Sequence, residues 1–132
     1  LFSSSDFVTM HIDLNEETEN MVSTRELELM KETSILINTS RGGIVDEEAL
    51  YEALLSKKIR AAAIDVFKRE PLIESPLLTL DNFLGSPHTA GYTEEALTEV
   101  GILTAKNIIE VLEGREALYP VTLQGGNSYA RQ

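Results

Sequence analysis

Four residues with chemistry to offer, Arg41, Asp65, Glu70 and His88, all stand in or just beyond short apolar runs. Arg41 closes the stretch Ile-Leu-Ile-Asn-Thr-Ser-Arg-Gly-Gly at residues 35–43, an apolar run too short for a helix that ends abruptly in small polar residues. An arginine in such a loop can grip a planar carboxylate with two parallel hydrogen bonds, and Gly42 and Gly43 let the backbone turn and come close to a bound molecule. Taken alone, it is equally a surface or helix-capping arginine. His88 stands in Ser-Pro-His-Thr-Ala-Gly, between a proline that fixes the approach and a glycine that leaves room for a ligand. A free imidazole titrates at about 6.5, and a neighbouring carboxylate favours its charged form, so this side chain can move protons at neutral pH. The plainer alternative is a loop histidine bonded to backbone. Asp65 interrupts the apolar run Ala-Ala-Ala-Ile-Asp-Val, where an unpartnered carboxylate would be costly; it needs a partner or a ligand. Glu70 lies in the loop beyond. Acid–base work on a molecule carrying a carboxylate is the chemistry these types suit.

The elements that must position them follow from local patterning. Strands are expected near residues 7–12, 35–38, 62–66 and 83–86, the first with the near-continuous apolar character of a strand buried on both faces. Ser23 and Glu26 form a capping box, with Val22 and Leu27 placed as a hydrophobic staple, for a short helix through Lys31. Asp46 caps a second helix whose first turn carries Glu47 and Glu48 and whose buried face holds Leu50, Ala53 and Leu54. Pro71 and Pro76 break regular structure. Thr93 opens a long amphipathic helix to about residue 113, with Leu97, Val100, Thr104, Ile108 and Leu112 on one stripe. Gly101 inside it suggests a close approach of another backbone. Alternating strands and helices predict a parallel sheet covered on both faces with right-handed crossovers. In such a sheet Arg41, Asp65 and His88 fall at one edge, where ligands bind.

At 132 residues, 42% of them hydrophobic, the chain has the size and composition of one globular domain. A net charge of -11 argues against a nucleic-acid backbone or an anionic membrane as partner. No cysteine is present, which fits a reducing compartment such as the cytoplasm and removes disulfides and thiol nucleophiles. No apolar run approaches the ~20 residues of a membrane span, and the start at Leu1 lacks the basic residues of a signal peptide. Without an initial methionine, the sequence reads as a piece of something longer.

Asn38-Thr-Ser-Arg-Gly-Gly, Ala63-Ile-Asp-Val-Phe, Arg69-Glu-Pro-Leu and Pro87-His-Thr-Ala-Gly, in this order and at these separations, resemble the C-terminal part of the D-isomer-specific 2-hydroxyacid dehydrogenases. That family includes phosphoglycerate dehydrogenase and the glyoxylate and hydroxypyruvate reductases. The resemblance covers nearly all of residues 6–120 and implies an α/β fold, the second half of a doubly wound Rossmann-type NAD-binding domain. It implies residues 1–118 as that half-domain with its long crossover helix, and 119–132 as a tail leading toward a substrate domain or disordered.

By the same likeness Arg41 holds the substrate's carboxylate and C2 oxygen, His88 is the general acid and base, and Glu70 orients His88. Asp65 hydrogen-bonds the nicotinamide carboxamide. Thr39 and Ser40, with Arg41, His88 and the backbone of Ala90 and Gly91, line the nicotinamide side, while Ile12 and Leu14 lie toward the adenine. Here the sequence departs from the family, reading His11-Ile-Asp-Leu14 where His-x-Pro-Leu is common. The implied reaction is metal-free hydride transfer between NAD(H), or NADP(H), and a small 2-hydroxy or 2-keto acid, in a homodimer. No Gly-x-Gly-x-x-Gly occurs in the 132 residues, so the phosphate-binding turn would lie upstream. An NAD-sensing corepressor of the C-terminal-binding-protein type shares the fold and these residues and is the competing expectation. Formate dehydrogenases carry glutamine where Glu70 stands.

Overall fold

The computed structural model describes residues 1–121, which fall into two units, Leu1–Ala90 and a second from Gly91 onward. The first unit is a four-stranded parallel sheet in the order β1 (Phe7–Met10), β2 (Ile35–Asn38), β3 (Ala61–Ile64), β4 (Phe83–Gly85). Helix α1 (Thr24–Leu29) joins β1 to β2, and α2 (Glu47–Leu55) joins β2 to β3. A short 3-10 helix at Pro76–Thr79, which the two prolines gave no reason to expect, leads into β4.

Each helix starts where the sequence supplies acceptors for its free amides. Asp46 Oδ1 accepts from the amides of Glu48 and Ala49 at 3.1 and 3.2 Å. At α1 the Glu26 carboxylate accepts from the Ser23 amide at 3.3 Å, and the Ser23 hydroxyl donates to Asp46 Oδ2 at 3.0 Å, tying the two helix starts together. The staple residues Val22 and Leu27 are both buried.

Burial along the strands alternates with period two. Val8, Met10, Leu36, Ala62 and Ile64 turn to one face and join Leu27, Met30, Leu50 and Leu54 of the helices in a single core. Burying a leucine such as Leu36 contributes roughly 1.5–3 kcal/mol. The other face is open: Phe7 is 66% and Leu84 68% exposed, with Ile35, Ile37, Ala61 and Ala63 half-buried. This corrects the expectation of β1 buried on both faces, because both crossover helices of this unit pack on the same side of the sheet. Tight register matters more for the site. Met10, Asn38, Ile64 and Gly85 are direct partners across the sheet, so all four strands end level.

The second unit is built on α3 (Glu94–Leu112). Thr93 caps it, accepting from the Ala96 amide at 3.1 Å, and Gly114 in the left-handed region (φ +80) ends it. No side chain of α3 is buried; Leu97, Val100 and Ile108 are 54%, 62% and 54% exposed. Among the described residues nothing lies within 4 Å of a Cβ placed on Gly101, so no close backbone explains that glycine. No described helix is long and apolar enough to cross a membrane. Of the expected tail at 119–132, residues 122–132 lie outside the described residues.

Candidate active site

Because the strands end level, the residues immediately after them form a row about 4.8 Å apart: His11, Thr39, Asp65 and Ser86. The loops carrying Arg41, Glu70 and His88 all leave from this row. His88 and Glu70 meet directly, Nδ1 to Oε2 at 2.9 Å. An ionised carboxylate only accepts, so Nδ1 carries the proton of this bond and Nε2 is the ring nitrogen left for another molecule. The pair is accessible, with 51% of the His88 side chain and 36% of the Glu70 side chain exposed. The second oxygen of Glu70 accepts from the Phe67 amide at 2.9 Å. The hydrogen bond to His88, followed by that from Phe67, holds the Glu70 carboxyl below its ordinary range.

Asp65 is 3% exposed and satisfied by the segment that carries His88. Its Oδ1 accepts from the Ser86 hydroxyl at 2.5 Å and the Thr89 amide at 2.9 Å, and its Oδ2 accepts from the Ala90 amide at 2.9 Å. Burial pushes this carboxyl up, but the bonds from Ser86, Ala90 and Thr89 outweigh it and keep the group below the usual range, hence charged. With about four acceptor positions on a carboxylate, one remains on Oδ2. His88 itself has φ +56, a left-handed conformation that costs an L-residue about 1–2 kcal/mol.

The Arg41 loop is shaped by a residue the sequence reading passed over. Asn38 ends β2 on its buried face, is 1% exposed, and spends its amide locally. Oδ1 accepts from the Ser40 amide and hydroxyl at 3.1 and 2.9 Å, and Nδ2 donates to the Arg41 carbonyl at 3.0 Å. An asparagine two residues after Leu36, on the same face of the strand, was the available signal, since a buried group of this kind must be bonded. Among the described residues the exposed Arg41 guanidinium donates one hydrogen bond, to the Ser40 carbonyl at 2.7 Å. It makes no hydrogen bond to His88 or Glu70. Gly42 is where the backbone does come close, but to protein: a Cβ there would stand 2.1 Å from the carbonyl carbon and oxygen of Phe67 and 2.7 Å from the Lys68 nitrogen.

The remaining expected site residues spread along the same edge. Thr39 is exposed and Ser40 half-buried. Ile12 leans on the core, whereas Leu14, 45% exposed, lies over Gly43. His11 bonds Thr9 Oγ1 at 2.9 Å. The Ala90 amide belongs to Asp65, and Gly91 opens the second unit.

A cleft of about 520 Å3 lies beside the pair, walled by Phe67, Leu72, Leu78 and Pro87 with Glu70 and His88 at its lining. A larger groove, about 670 Å3, runs along the start of α2, lined by Glu47, Glu48, Glu52 and Glu74 together with Lys68 and Arg69, and it does not reach His88 or Glu70. The smaller cleft is the one that reaches the His88–Glu70 pair; Arg41 does not line it. A histidine on a carboxylate is suited to exchanging a proton, and an exposed arginine on a neighbouring loop from the same sheet edge is suited to holding a carboxylate.

The chain is similar to several known proteins. The chain is 47% identical over 117 residues to D-3-phosphoglycerate dehydrogenase of Methanocaldococcus jannaschii, an alignment covering 89% of this chain and 22% of that protein. It is 43% identical over 115 residues to hydroxypyruvate reductase of Thermotoga maritima, covering 85% and 38%. The crystal structure of D-lactate dehydrogenase with NAD+ from Lactobacillus jensenii superposes with a TM-score of 0.84 at 27% identity, over 92% of this chain and 41% of that one. The chain thus spans well under half of these relatives. Residues 1–90 match the model of the D-isomer specific 2-hydroxyacid dehydrogenase NAD-binding domain, and the chain belongs to that family.

Proposed function

We propose that the protein containing this segment catalyses reversible, NAD-dependent interconversion of a small 2-hydroxy acid and its 2-keto acid, with NADP as the variant cofactor. The observation that carries the reading is the His88–Glu70 pair, 2.9 Å apart, on loops leaving the same sheet edge as the Arg41 loop. When bound, the nicotinamide supplies or takes up the hydride at C2. The residues present fit the nicotinamide end of that cofactor. Thr39 and Ser40 offer hydroxyls at the strand edge, and Asp65 keeps an acceptor position on Oδ2 that suits a carboxamide N–H. Arg41, His88 and the backbone around Ala90 and Gly91 complete that side, with Ile12 and Leu14 toward the adenine.

In the reduction, Arg41 binds the substrate carboxylate and leans charge toward the C2 oxygen, stabilising the negative charge that grows there. His88 gives the Nε2 proton to that oxygen. Glu70, bonded to Nδ1, keeps the ring oriented and offsets the positive charge of the protonated imidazole. In oxidation the neutral ring takes the proton back. We further propose a cytoplasmic homodimer, supported by the cysteine-free composition and the exposed apolar stripe of α3. In the whole protein α3 would act as the crossover helix and the residues from 119 would lead on toward a substrate domain.

The test is steady-state reduction of glyoxylate and hydroxypyruvate with NADH and NADPH by the intact protein, beside a His88→Gln variant. Turnover that falls about 100-fold or more in the variant is expected. Tight NADH binding with no turnover of any 2-keto acid would overturn the reading in favour of a cofactor-sensing interaction module.

A further inference from the structure

Three successive amides converge on one residue. The His88 N–H donates to the Asp65 carbonyl at 2.9 Å, the Thr89 N–H to Oδ1 at 2.9 Å, and the Ala90 N–H to Oδ2 at 2.9 Å. The Ser86 hydroxyl closes the set from the other side of His88, on Oδ1 at 2.5 Å. Asp65 is in turn fixed to β2, its own N–H donating to the Asn38 carbonyl at 2.9 Å. The segment wrapped around it contains Pro87, which donates nothing, and His88 at φ +56, a conformation L-residues avoid unless their surroundings impose it. Thr89 and Ala90 are exposed and contribute no buried side chain, so packing does not impose it. The hydrogen bonds to Asp65 do.

We propose that Asp65 and Ser86 form a clamp that holds His88 in its left-handed turn, so that Nδ1 meets Glu70 and Nε2 is the ring nitrogen left for another molecule; both are positioning residues for the acid–base group. This rests on His88 having that role, but the geometry stands without it. The chemistry of the clamp requires a carboxylate. Two oxygens must accept from opposite sides, and the amide of an asparagine offers one acceptor and one donor, so in either orientation its NH2 group would oppose an N–H of the turn. Ser86 makes the sharper probe. Its hydroxyl donates to Asp65, while its own N–H donates to the Ile64 carbonyl at 3.0 Å and holds the backbone in the sheet, so its loss removes one strand of the clamp and leaves the carboxylate in place.

The experiment is 15N NMR of histidine-labelled chain, in which His11 and His88 are the only two imidazoles. In the unsubstituted chain one ring should show an Nδ1-bound proton protected from exchange with water, and Glu70→Gln should change it, assigning it to His88. Ser86→Ala should speed exchange of that proton about tenfold, Ser86→Thr should restore it by supplying the hydroxyl again, and Asp65→Asn should abolish the protection. In the intact enzyme Ser86→Ala should lower kcat about tenfold with KM for NADH unchanged, as expected of a misaligned acid rather than a lost cofactor contact. Wild-type protection of the His88 proton in folded Ser86→Ala would overturn the clamp, and so would Asp65→Asn that melts cooperatively with protection intact. If Asp65→Asn does not fold, the Ser86 pair of variants still decides. A clamp seen by NMR in a protein that turns over no 2-keto acid would sink the enzymatic reading and leave the clamp standing.

Discussion

Replacing Gly42 by alanine should damage the site out of proportion to one methyl group. The new Cβ would sit 2.1 Å from two backbone atoms of Phe67, whereas ordinary contact begins at 3.4 Å, so the two segments must part by about 1.3 Å. Neither obstacle can rotate away, because both are main chain. Phe67 is buried and its amide holds one oxygen of Glu70, so a shift at residue 67 is delivered to the carboxylate that orients His88. Overpacking of this kind costs about 1–3 kcal/mol, and misplacement of about 1 Å can cost about 100-fold in rate. Thermal melts of Gly42→Ala should therefore fall by several degrees, on a scale of about 4 °C per kcal/mol, while kcat/KM of the intact enzyme drops by one to two orders of magnitude, that is roughly 10- to 100-fold. Gly43→Ala provides the contrast. Gly43 has φ +84 but meets only Leu14 side-chain carbons at 3.6 Å, so its substitution strains the backbone by about 1–2 kcal/mol without pushing Glu70. Similar rate losses in the two variants, or an unchanged melt in Gly42→Ala, would refute the view that Gly42 sets the spacing of the two loops.

Glu70 makes a pH-dependent contribution whose sign is fixed. A carboxyl held below 4.5 in the folded state stabilises it above the unfolded value, and that stability is lost as pH falls through the folded one. Melting temperature should accordingly fall more steeply from about pH 6 to about pH 3 in the wild type than in Glu70→Gln; equal slopes would remove Glu70 from the acid response. Asn38→Ala strips the Ser40 amide of its acceptor and releases the Arg41 carbonyl, with an expected loss of about 1–3 kcal/mol in urea unfolding. KM for the 2-keto acid should rise more than kcat falls, and an unmoved KM would detach Asn38 from substrate binding.

The strand–helix alternation was legible because each element announces itself locally, Asp46 and Thr93 as caps and Ile35 to Asn38 as a short apolar run. What local pattern could not reveal was orientation. Phe7 and Thr9 look as apolar or β-branched as Val8, yet only the side on which the crossover helices lie decides which of them is covered. Likewise Asp65 could be recognised as needing a partner, but the partners at Ser86, Thr89 and Ala90 are 21 to 25 residues away in sequence. Gly42 read as room for a ligand; the occupant of that room is the Phe67 backbone, a contact only the folded chain reveals.

The level register of Met10, Asn38, Ile64 and Gly85 divides the first unit into two ends with different histories available to them. At the far end the turns are stitched to one another, Lys58 Nζ to the Met30 carbonyl at 3.0 Å and Asn82 Nδ2 to the Leu54 carbonyl at 3.1 Å, and none of the expected site residues lies there. Substitutions that tune stability can therefore fall on one set of loops and those that tune the proposed site on the other. Under the proposed function, a change of substrate calls for changes in the loops around Arg41 and Leu72 and leaves the bonds that close the opposite end as they are.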